Sequence, residues 1–301
     1  MGCKIRENSI FVEEGELGGY YGLAIRIDRV LLEEKTPFQD LVVAEAGPLG
    51  RVLFLDGNIQ VSEFDESGYH EMMAHVPLLT HPDPRRVLII GGGDGGTLRE
   101  VLKHPGVEQV DLCEIDEAVI RASQRYLPGL ACGFGDPRAV IHIADGIQFV
   151  EDHPGAWDVI LVDSSDPEGP AVGIFKKSFY QSLTDALLPG GIAVTQCESP
   201  FLYEGLIKEI FGFLPTVFPI VGYYHTLVPT YTSGMIGFTF CSLGPDPLKD
   251  VPHPARLKNL ENLYYYAPGL HRSAFSLPRR FLDLLSEAAG KQDVILLNQA
   301  I

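Results

Sequence analysis

The sequence is poor in cysteine and lacks any apolar run long enough to cross a membrane. Its 301 residues include five cysteines, an odd number, and no two of them form a Cys-x-x-Cys pair. This usage argues against a disulfide framework and against a zinc site. No apolar stretch reaches the roughly 18 residues of a membrane-spanning helix, and the first residues lack the apolar segment of a signal peptide. We therefore expect a cytoplasmic protein with no metal and no membrane partner.

Positive charge is also scarce. The chain has 23 lysines and arginines against 40 aspartates and glutamates, which gives a net charge of −17. Such a surface repels the phosphates of nucleic acid, so no nucleic-acid partner is expected. The charge suits a cationic ligand, although on net charge alone the plainer explanation, an acidic surface that keeps the protein soluble, is preferred. The positions of individual carboxylates have to decide between the two.

A glycine-rich turn after a short apolar run is the most informative local pattern. Residues 87–90 have the composition of a buried parallel strand, glycine fills five of the six positions 91–96, and residues 97–103 have a helical pattern. A strand, a glycine turn and a helix form the opening of a nucleotide-binding βαβ unit. Glycine-rich strand ends also occur in plain turns, so the rest of the chain has to support this interpretation.

The segments around this turn predict an α/β fold. Residues 1–65 alternate and turn as a small antiparallel β domain does, and residues 66–301 are predicted to form a doubly wound, mostly parallel sheet with helices. A strand is expected over residues 23–32, with alternation at Leu23, Ile25 and Ile27, and a helix is expected over 178–188. The further strands of the large sheet are predicted at 109–113, 139–143, 157–162 and 192–196, with an antiparallel pair at 221–226 and 235–241.

Four of the predicted strands end in a carboxylate. In a doubly wound sheet, ligands bind beyond the carboxyl ends of the strands. One acid at a strand end is an ordinary helix N-cap, but four converging acids repel one another unless a cation or hydrogen-bond donors join them. A shared ligand site is therefore favoured over coincidence. The four acids are Asp94, Glu114, Asp145 and Asp163.

The positions of these acids suggest separate roles. Glu114 follows Gly91 at nearly the spacing of the acid that binds ribose hydroxyls, and Asp145 with Gly146 is placed where an adenine amino group could be held. Asp94 in the glycine turn would repel a pyrophosphate, and we expect no side chain there to shield its charge. A nucleoside with a positively charged tail is therefore favoured over a nicotinamide dinucleotide. Asp163 and Asp166, three residues apart, suit a base and an anchor for one amine, or an N-cap pair with a turn.

With these residues in place, the sequence resembles the polyamine aminopropyltransferases, and closely the spermidine synthases. The resemblance covers nearly the whole chain. It implies that a methyltransferase-like Rossmann domain follows the N-terminal β domain in the chain. The matching motifs are VLIIGGGDGGTLREVLKHP, CEID, ADG, DVILVDSSDP, YHEMM, PFQD, LDGNIQ, VPTYTSG and HRSAFSLP.

The resemblance implies an activity and a role for each matching residue. The donor would be decarboxylated S-adenosylmethionine, the acceptor putrescine, and the products spermidine and 5′-methylthioadenosine, with no cofactor or metal. Asp163 would be the proton acceptor, with Tyr69 beside it in the catalytic centre. The other matching residues fall into three sets: Gln39, Glu114, Asp145, Gly146 and Pro170 for the methylthioadenosine part, His70, Asp94 and Asp166 for the amines, and Gln60, Gln196 and Tyr231 for the acceptor channel.

Several alternatives stay open at this point. Tyr69 also has the spacing of a core residue, and Gln196 could be a buried amide bonded to backbone. The family often has a tryptophan near the N-terminus, and here Tyr20 and Tyr21 are expected to replace it in lining the acceptor end of the site. The acceptor could be cadaverine, agmatine or spermidine. An S-adenosylmethionine-dependent amine N-methyltransferase, a nicotinamide oxidoreductase and a non-catalytic polyamine sensor are the other functions considered. A homodimer or homotetramer is expected from the family.

Overall fold

The described part of the chain contains three β-sheets, two of them in its N-terminal part. The computed structural model describes residues 5–14, 20–165, 169–250, 254–258, 260–290 and 295–299. The small sheets are antiparallel, with two and four strands, and the large sheet has eight. The strands of the small sheets are β1 (Ser9–Glu14) and β2 (Gly22–Ile27), then β3 (Arg29–Lys35), β4 (Asp40–Glu45), β5 (Arg51–Leu55) and β6 (Asn58–Ser62).

The N-terminal part confirms the predicted antiparallel module, with one correction. The single strand expected over 23–32 is two strands in different sheets, because the chain passes from one sheet to the other at Asp28. The alternation of Leu23, Ile25 and Ile27 ends at this crossing, because the next position of the pattern is the exposed Arg29. Asp56 and Gly57 join β5 to β6 with φ angles of +50° and +86°, as a tight hairpin turn requires.

The large sheet carries the predicted α/β order. Strands β11, β10, β7, β8 and β9 are parallel neighbours, and β13 and β12 extend the sheet as an antiparallel pair beside β11. The strand bounds are β7 (Arg86–Gly91), β8 (Gln109–Glu114), β9 (Ala139–Ile143), β10 (Trp157–Asp163), β11 (Leu187–Gln196), β12 (Ile220–Leu227), β13 (Met235–Ser242) and β14 (Ile295–Leu296). On β7, Val87 and Ile89 face one core cluster and Leu88 and Ile90 face the other. Both faces are therefore covered, which explains the unbroken apolar run.

The helices cover the two faces of this sheet. They are α1 (Glu66–Thr80), α2 (Gly96–Leu102), α3 (Glu117–Tyr126), α4 (Gly146–Glu151), α5 (Lys177–Ala186), α6 (Glu204–Phe213), α7 (Pro254–Lys258), α8 (Pro268–Ser273) and α9 (Arg279–Ala289). The helix expected over 178–188 ends at Ala186, and β11 already begins at Leu187. The reason is Pro189, which disfavours helical geometry in the residue before it. No helix in the described part of the chain is long and apolar enough to span a membrane.

Helix α1 connects the N-terminal sheets to the large sheet. The strand before it ends at Ser62, so the predicted domain boundary between residues 65 and 66 falls next to the start of this helix; the boundary itself stays a prediction. Every residue of α1 from Gly68 to Thr80 is buried, including Glu71, which is 0% exposed. The Glu71 carboxylate accepts hydrogen bonds from the backbone N–H groups of Tyr264, Tyr265 and Tyr266, at 2.7, 3.0 and 2.6 Å. This contact fixes the C-terminal segment onto α1.

We expect Glu71→Gln to lower the free energy of unfolding by about 2 kcal/mol, because hydrogen bonds to a charged acceptor contribute about 1.5–3 kcal/mol. The amide keeps one acceptor oxygen and places an N–H₂ group opposite a backbone donor. Urea unfolding followed by circular dichroism measures the change. Glu117→Gln, on an exposed side chain, is the matched control. Equal stability of the two variants would contradict this role for Glu71.

Candidate active site

A cavity of about 360 Å³ opens at the carboxyl ends of the parallel strands. This volume is in the range of small-molecule sites. The N-terminal sheets form one wall of the cavity, and the glycine turn and the ends of β8 and β10 form another. Eleven of the predicted site residues line it: Gln39, Gln60, Tyr69, His70, Asp94, Glu114, Asp145, Gly146, Asp163, Gln196 and Tyr231.

The remaining two predicted site residues, and the two tyrosines expected to replace the N-terminal tryptophan, are not among these eleven. Asp166 lies outside the described residues. Pro170 belongs to the 3-10 segment Gly169–Phe175, and its contact with a ligand stays a prediction. Tyr20 is 97% exposed and does not line the cavity. Tyr21 only reaches the rim, where its hydroxyl donates to the carbonyl of Thr232.

The glycine turn is shaped by close contacts that exclude side chains. Gly91 has φ of +78°, and a Cβ atom there would lie 2.1 Å from the carbonyl oxygen of Asp163. A Cβ on Gly96 would lie 2.2 Å from the His70 ring. The backbone N–H of Gly92 donates to the same Asp163 carbonyl at 2.9 Å. These contacts bring the end of β7 against the end of β10, and place Asp94 near Asp163.

At one end of the cavity, Glu114 and Asp116 form an acidic pair. Glu114 accepts a hydrogen bond from the Asp116 backbone N–H at 2.9 Å. Burial raises the pKa of Glu114 to about 7, against the opposing effect of backbone N–H donors. Asp116 caps α3 and accepts from Thr36 Oγ1 at 2.7 Å and from Gln39 Nε2 at 3.0 Å. Asp116 does not itself line the cavity but holds Gln39 there, a role that the sequence reasoning missed although Asp116 is part of the CEID motif.

Asp145 is a helix N-cap that also lines the cavity. Its Oδ1 atom accepts from the backbone N–H of Ile147 at 2.8 Å, so it is the N-cap of α4. It also lines the cavity together with Gly146, which packs against Ile90 so closely that a Cβ would lie 2.4 Å from that side chain. The contact of Asp145 and Gly146 with adenine stays a prediction.

Asp163, Asp94, His70 and Tyr69 form the centre of the cavity. Asp163 Oδ2 accepts from Thr97 Oγ1 at 2.6 Å. Burial and the neighbouring charge of Asp94 raise the pKa of Asp163, and burial with the charge of Asp163 raises that of Tyr69. Burial also acts to raise the pKa of Asp94, but His70 and the N–H of Gly96 outweigh it and lower that pKa. The two aspartates therefore differ: Asp94 is ionised and Asp163 is the more basic.

The expectation that no side chain shields Asp94 is wrong. The His70 ring packs on Gly96, and its Nε2 atom lies 3.3 Å from Asp94 Oδ1. Because glycine has no side chain, it admits the ring of a residue from α1, a long-range contact that the local sequence could not show. His70 is 2% exposed. Its direct contact with an amine stays a prediction.

The residues on the other side of Asp163 are also polar. Tyr69 packs against Phe238 with ring centroids 5.2 Å apart while lining the cavity, so its core role and its site role are compatible. Tyr231 donates its hydroxyl to the Gln60 carbonyl at 2.7 Å. Gln196 Nε2 donates to Glu198 Oε1 at 2.7 Å, and within the described part of the chain the buried Gln196 Oε1 has no hydrogen-bond partner. Backbone therefore does not satisfy that oxygen.

Glu198 is a cavity residue that the sequence reasoning missed. It is 5% exposed, lines the cavity and has φ of +50°, a conformation that is uncommon for residues other than glycine. Its carbonyl accepts from the Tyr223 hydroxyl at 2.6 Å and from the Gly237 N–H at 3.1 Å. The signal was available, because Glu198 follows the end of a strand as the other four acids do.

His70, Asp94 and Asp163 are the one group among the described residues whose potential metal-ligand atoms all lie within 4.8 Å of one another. A metal would need a lone pair on a ring nitrogen of His70. Both nitrogens face carboxylates, Glu66 at 2.6 Å and Asp94 at 3.3 Å. Both therefore carry protons, and the donor set does not suit a metal.

Comparison with known proteins supports the predicted fold and resemblance. Residues 66–248 match the model of the spermine/spermidine synthase domain, and residues 11–63 match that of the spermidine synthase tetramerisation domain. The polyamine aminopropyltransferase of Desulforudis audaxviator is 49% identical over 87% of this chain and 94% of its own length. The spermidine synthase of Dictyostelium discoideum is 43% identical over 91% of this chain and 96% of its own.

Solved structures give the same result. A spermidine synthase in complex with the transition-state analogue AdoDATO has a TM-score of 0.89 and 41% identity, and the match covers 94% of this chain and 97% of that one. The spermidine synthase from Thermotoga maritima has a TM-score of 0.87 and 41% identity over 94% of this chain and 96% of its own. The predicted α/β fold is thereby confirmed.

We expect the affinity for 5′-methylthioadenosine to rise with pH between 6 and 8. Glu114 has a pKa of about 7, so it is protonated below that pH, and ribose hydroxyls bond better to the ionised carboxylate. The dissociation constant should fall by up to about tenfold per pH unit, as one proton released on binding requires. Glu114→Gln should weaken binding at pH 8 by at least about tenfold and remove the pH dependence. Calorimetry at both pH values measures this; an unchanged pH dependence in the variant would assign the proton to another group.

Proposed function

The chain belongs to the spermine/spermidine synthase family, and from this membership and the cavity geometry we propose that it transfers an aminopropyl group from decarboxylated S-adenosylmethionine to putrescine. The products are spermidine and 5′-methylthioadenosine. The observation that carries the proposal is the pair at the centre of the cavity. An ionised Asp94 and a more basic Asp163 stand between the acidic pair at one end and Glu198 at the other.

The donor is proposed to bind between the glycine turn and the end of β8. Glu114 accepts the ribose hydroxyls, Asp145 and Gly146 receive the adenine, and Gln39, held by Asp116, covers the nucleoside. Pro170 belongs to the same set. The donor's primary ammonium then lies beside Asp94. A carboxylate and an ammonium in a partly dry site form a charge-assisted hydrogen bond, which is the stronger kind.

Asp163 is proposed to prepare the attacking amine. A primary amine has a pKa near the ~10.4 of lysine and is protonated at neutral pH, so it cannot attack until a base takes a proton. Asp163 takes it, with Tyr69 within hydrogen-bonding reach of the carboxylate. The amine nitrogen then forms a bond to the methylene carbon on sulfur. The carbon–sulfur bond breaks, its electron pair goes to sulfur, and the sulfonium becomes a neutral thioether. Because the sulfonium is already activated, the cavity residues only have to position the two substrates and deprotonate the amine. No cofactor or metal is proposed.

The far end of the cavity is proposed to hold the second ammonium of putrescine. Glu198 offers a carboxylate, and Gln196 offers an oxygen that needs a donor. Gln60 and Tyr231 form the side wall, and Asp166 and His70 complete the predicted amine set. Cadaverine, agmatine and spermidine have a cationic group at a different distance from the attacking amine and are the alternative acceptors.

The assembly is proposed to be a cytoplasmic homodimer or homotetramer without nucleic-acid or membrane partners. The support is the match of residues 11–63 to a tetramerisation domain. The side chains of Ile10 and Val12 on β1 are 69% and 44% exposed, which gives this region an apolar surface that a second copy could cover.

We expect purified protein supplied with decarboxylated S-adenosylmethionine and a panel of diamines to make spermidine from putrescine in preference to the other products. Mass spectrometry of the products measures this. Asp163→Asn should fold and bind methylthioadenosine but turn over at least ~10²-fold more slowly, the usual scale for a lost acid–base group. Methyl transfer from S-adenosylmethionine, or undiminished turnover by the variant, would contradict the proposal.

Donor choice is expected to depend on Asp94. Intact S-adenosylmethionine carries a carboxylate near the position of this side chain, and like charges placed together cost several kcal/mol. The His70 cation reduces that cost. Asp94→Asn should therefore weaken the decarboxylated donor and narrow its advantage over S-adenosylmethionine by about tenfold. The two dissociation constants, compared in wild type and variant, measure this. A constant ratio would mean that donor choice is made elsewhere.

A further inference from the structure

The His70 ring is enclosed between two carboxylates from different elements. Its Nδ1 atom lies 2.6 Å from Oε2 of Glu66, one turn earlier on α1, and its Nε2 atom lies 3.3 Å from Oδ1 of Asp94. A carboxylate accepts hydrogen bonds and does not donate them, so each ring nitrogen must supply a proton. Only the imidazolium has both, so two ionised carboxylates favour the cationic form of the His70 ring.

Glu66 is itself held in place by α2. Arg99 Nη2 donates to both Glu66 oxygens, at 3.0 and 2.8 Å. The same guanidinium donates to the Gly129 carbonyl at 3.1 Å and to Glu100 Oε1 at 2.8 Å. Glu100 is 0% exposed and bonds to the fully buried His75 at 3.1 Å. The position of Glu66 is thus fixed by a buried network behind the cavity that does not touch the cavity itself.

The charges around His70 show what this arrangement does. Burial acts to lower the pKa of His70, but Asp94 and Glu66 outweigh it and bring the pKa to about 10. Asp163 faces the ring from the end of β10, and Tyr69 lies against it with ring centroids 5.4 Å apart. At neutral pH, three groups share one dissociable proton: the His70 ring, Asp94 and Asp163. As long as the ring holds it, both aspartates are ionised and Asp163 is ready to accept a proton.

We propose that Glu66, fixed by Arg99, is a positioning residue that keeps this proton on His70 and so keeps it off the Asp94–Asp163 pair. The proposal rests on the proposed function, in which Asp163 is the base. Two neighbouring carboxylates that share a site readily retain a proton, and a retained proton would occupy the base. Glu66 prevents this from a distance, since it is the His70 ring, and not Glu66, that reaches the cavity.

Glu66→Gln tests the proposal because it keeps the size of the side chain and removes its charge. The Gln amide can donate to a neutral ring at Nδ1 while Nε2–H still bonds Asp94, so the proton can move to the aspartates without loss of geometry. In the free enzyme, the nitrogen chemical shifts of His70 should change from those of a cation at pH 7 to those of a neutral ring. In wild type, the cation should persist to about pH 10.

The kinetic expectation has a definite sign. In Glu66→Gln, the shared proton blocks Asp163 until the pH is raised, so the acid limb of the kcat/KM profile moves to higher pH. If the midpoint of the limb moves to about pH 8, only about a tenth of Asp163 is ionised at pH 7, which gives about a tenfold loss there, with recovery toward the wild-type value near pH 9. A merely structural role would reduce activity by the same factor at every pH. In a His70→Gln background, Glu66→Gln should produce no further displacement of the limb.

The control is Glu117→Gln, which makes the same change at the same place in another helix. Glu117 is the first residue of α3 and pairs with Arg121, four residues later, at 3.0 Å, as Glu66 is the first residue of α1 and pairs with His70. The Glu117→Gln variant should leave both the nitrogen chemical shifts of His70 and the pH profile of kcat/KM unchanged. If Glu66→Gln does not fold, Arg99→Lys, which cannot reproduce the paired contact with Glu66, should shift both in the same direction.

The outcomes separate this proposal from the proposed function. A His70 ring that stays cationic at pH 7 in Glu66→Gln, or in Arg99→Lys if that variant is needed, overturns the inference. A uniform loss of activity at all pH values overturns it as well. Absence of spermidine formation by the wild type would overturn the proposed function instead, and the His70 titration would remain readable because it needs no substrate.

Discussion

The close approach of two neighbouring strand ends is the constraint on which the active site depends. Strands β7 and β10 are paired up to Gly91 and Asp163, and only a glycine fits against the Asp163 carbonyl at that point. The backbone contact fixes the positions of Asp94 and Asp163 before any side chain is considered. A larger residue at position 91 would push the strand ends apart, because packed interiors deform little. The two carboxylates would then be too far apart to contact the same ligand.

This closeness creates an electrostatic problem that the fold solves only in part. Asp94 and Asp163 are both withdrawn from water, and the charge of Asp94 makes Asp163 harder to ionise. The His70 cation balances one of the two negative charges. The remaining negative charge matches substrates that carry positive charge, so an empty site has an excess of negative potential that a cationic donor and acceptor relieve. The same arrangement gives the two aspartates different basicities, as two roles require.

The N-terminal sheets are also part of the active site. They supply Gln39 and Gln60 to the cavity wall, and Gln39 is positioned by Asp116 at the start of α3. Tyr231, from the connection between β12 and β13, bonds back to Gln60. The cavity is therefore closed by contacts between the two parts of the chain, and changes at those contacts would reach substrate binding without touching the chemistry.

The sequence by itself determined the α/β order, the glycine turn and the strand-end acids, because these follow from local periodicity and from the rule that parallel strands end at one edge. It also located the residues from Gln39 to Tyr231 that meet in the cavity. Only the tertiary structure decided that His70 shields Asp94, that Asp116 holds Gln39, that Glu198 joins the far end and that residues 23–32 divide between two sheets. Each of these depends on a contact between segments distant in the chain, and neither periodicity nor spacing records which elements pack together.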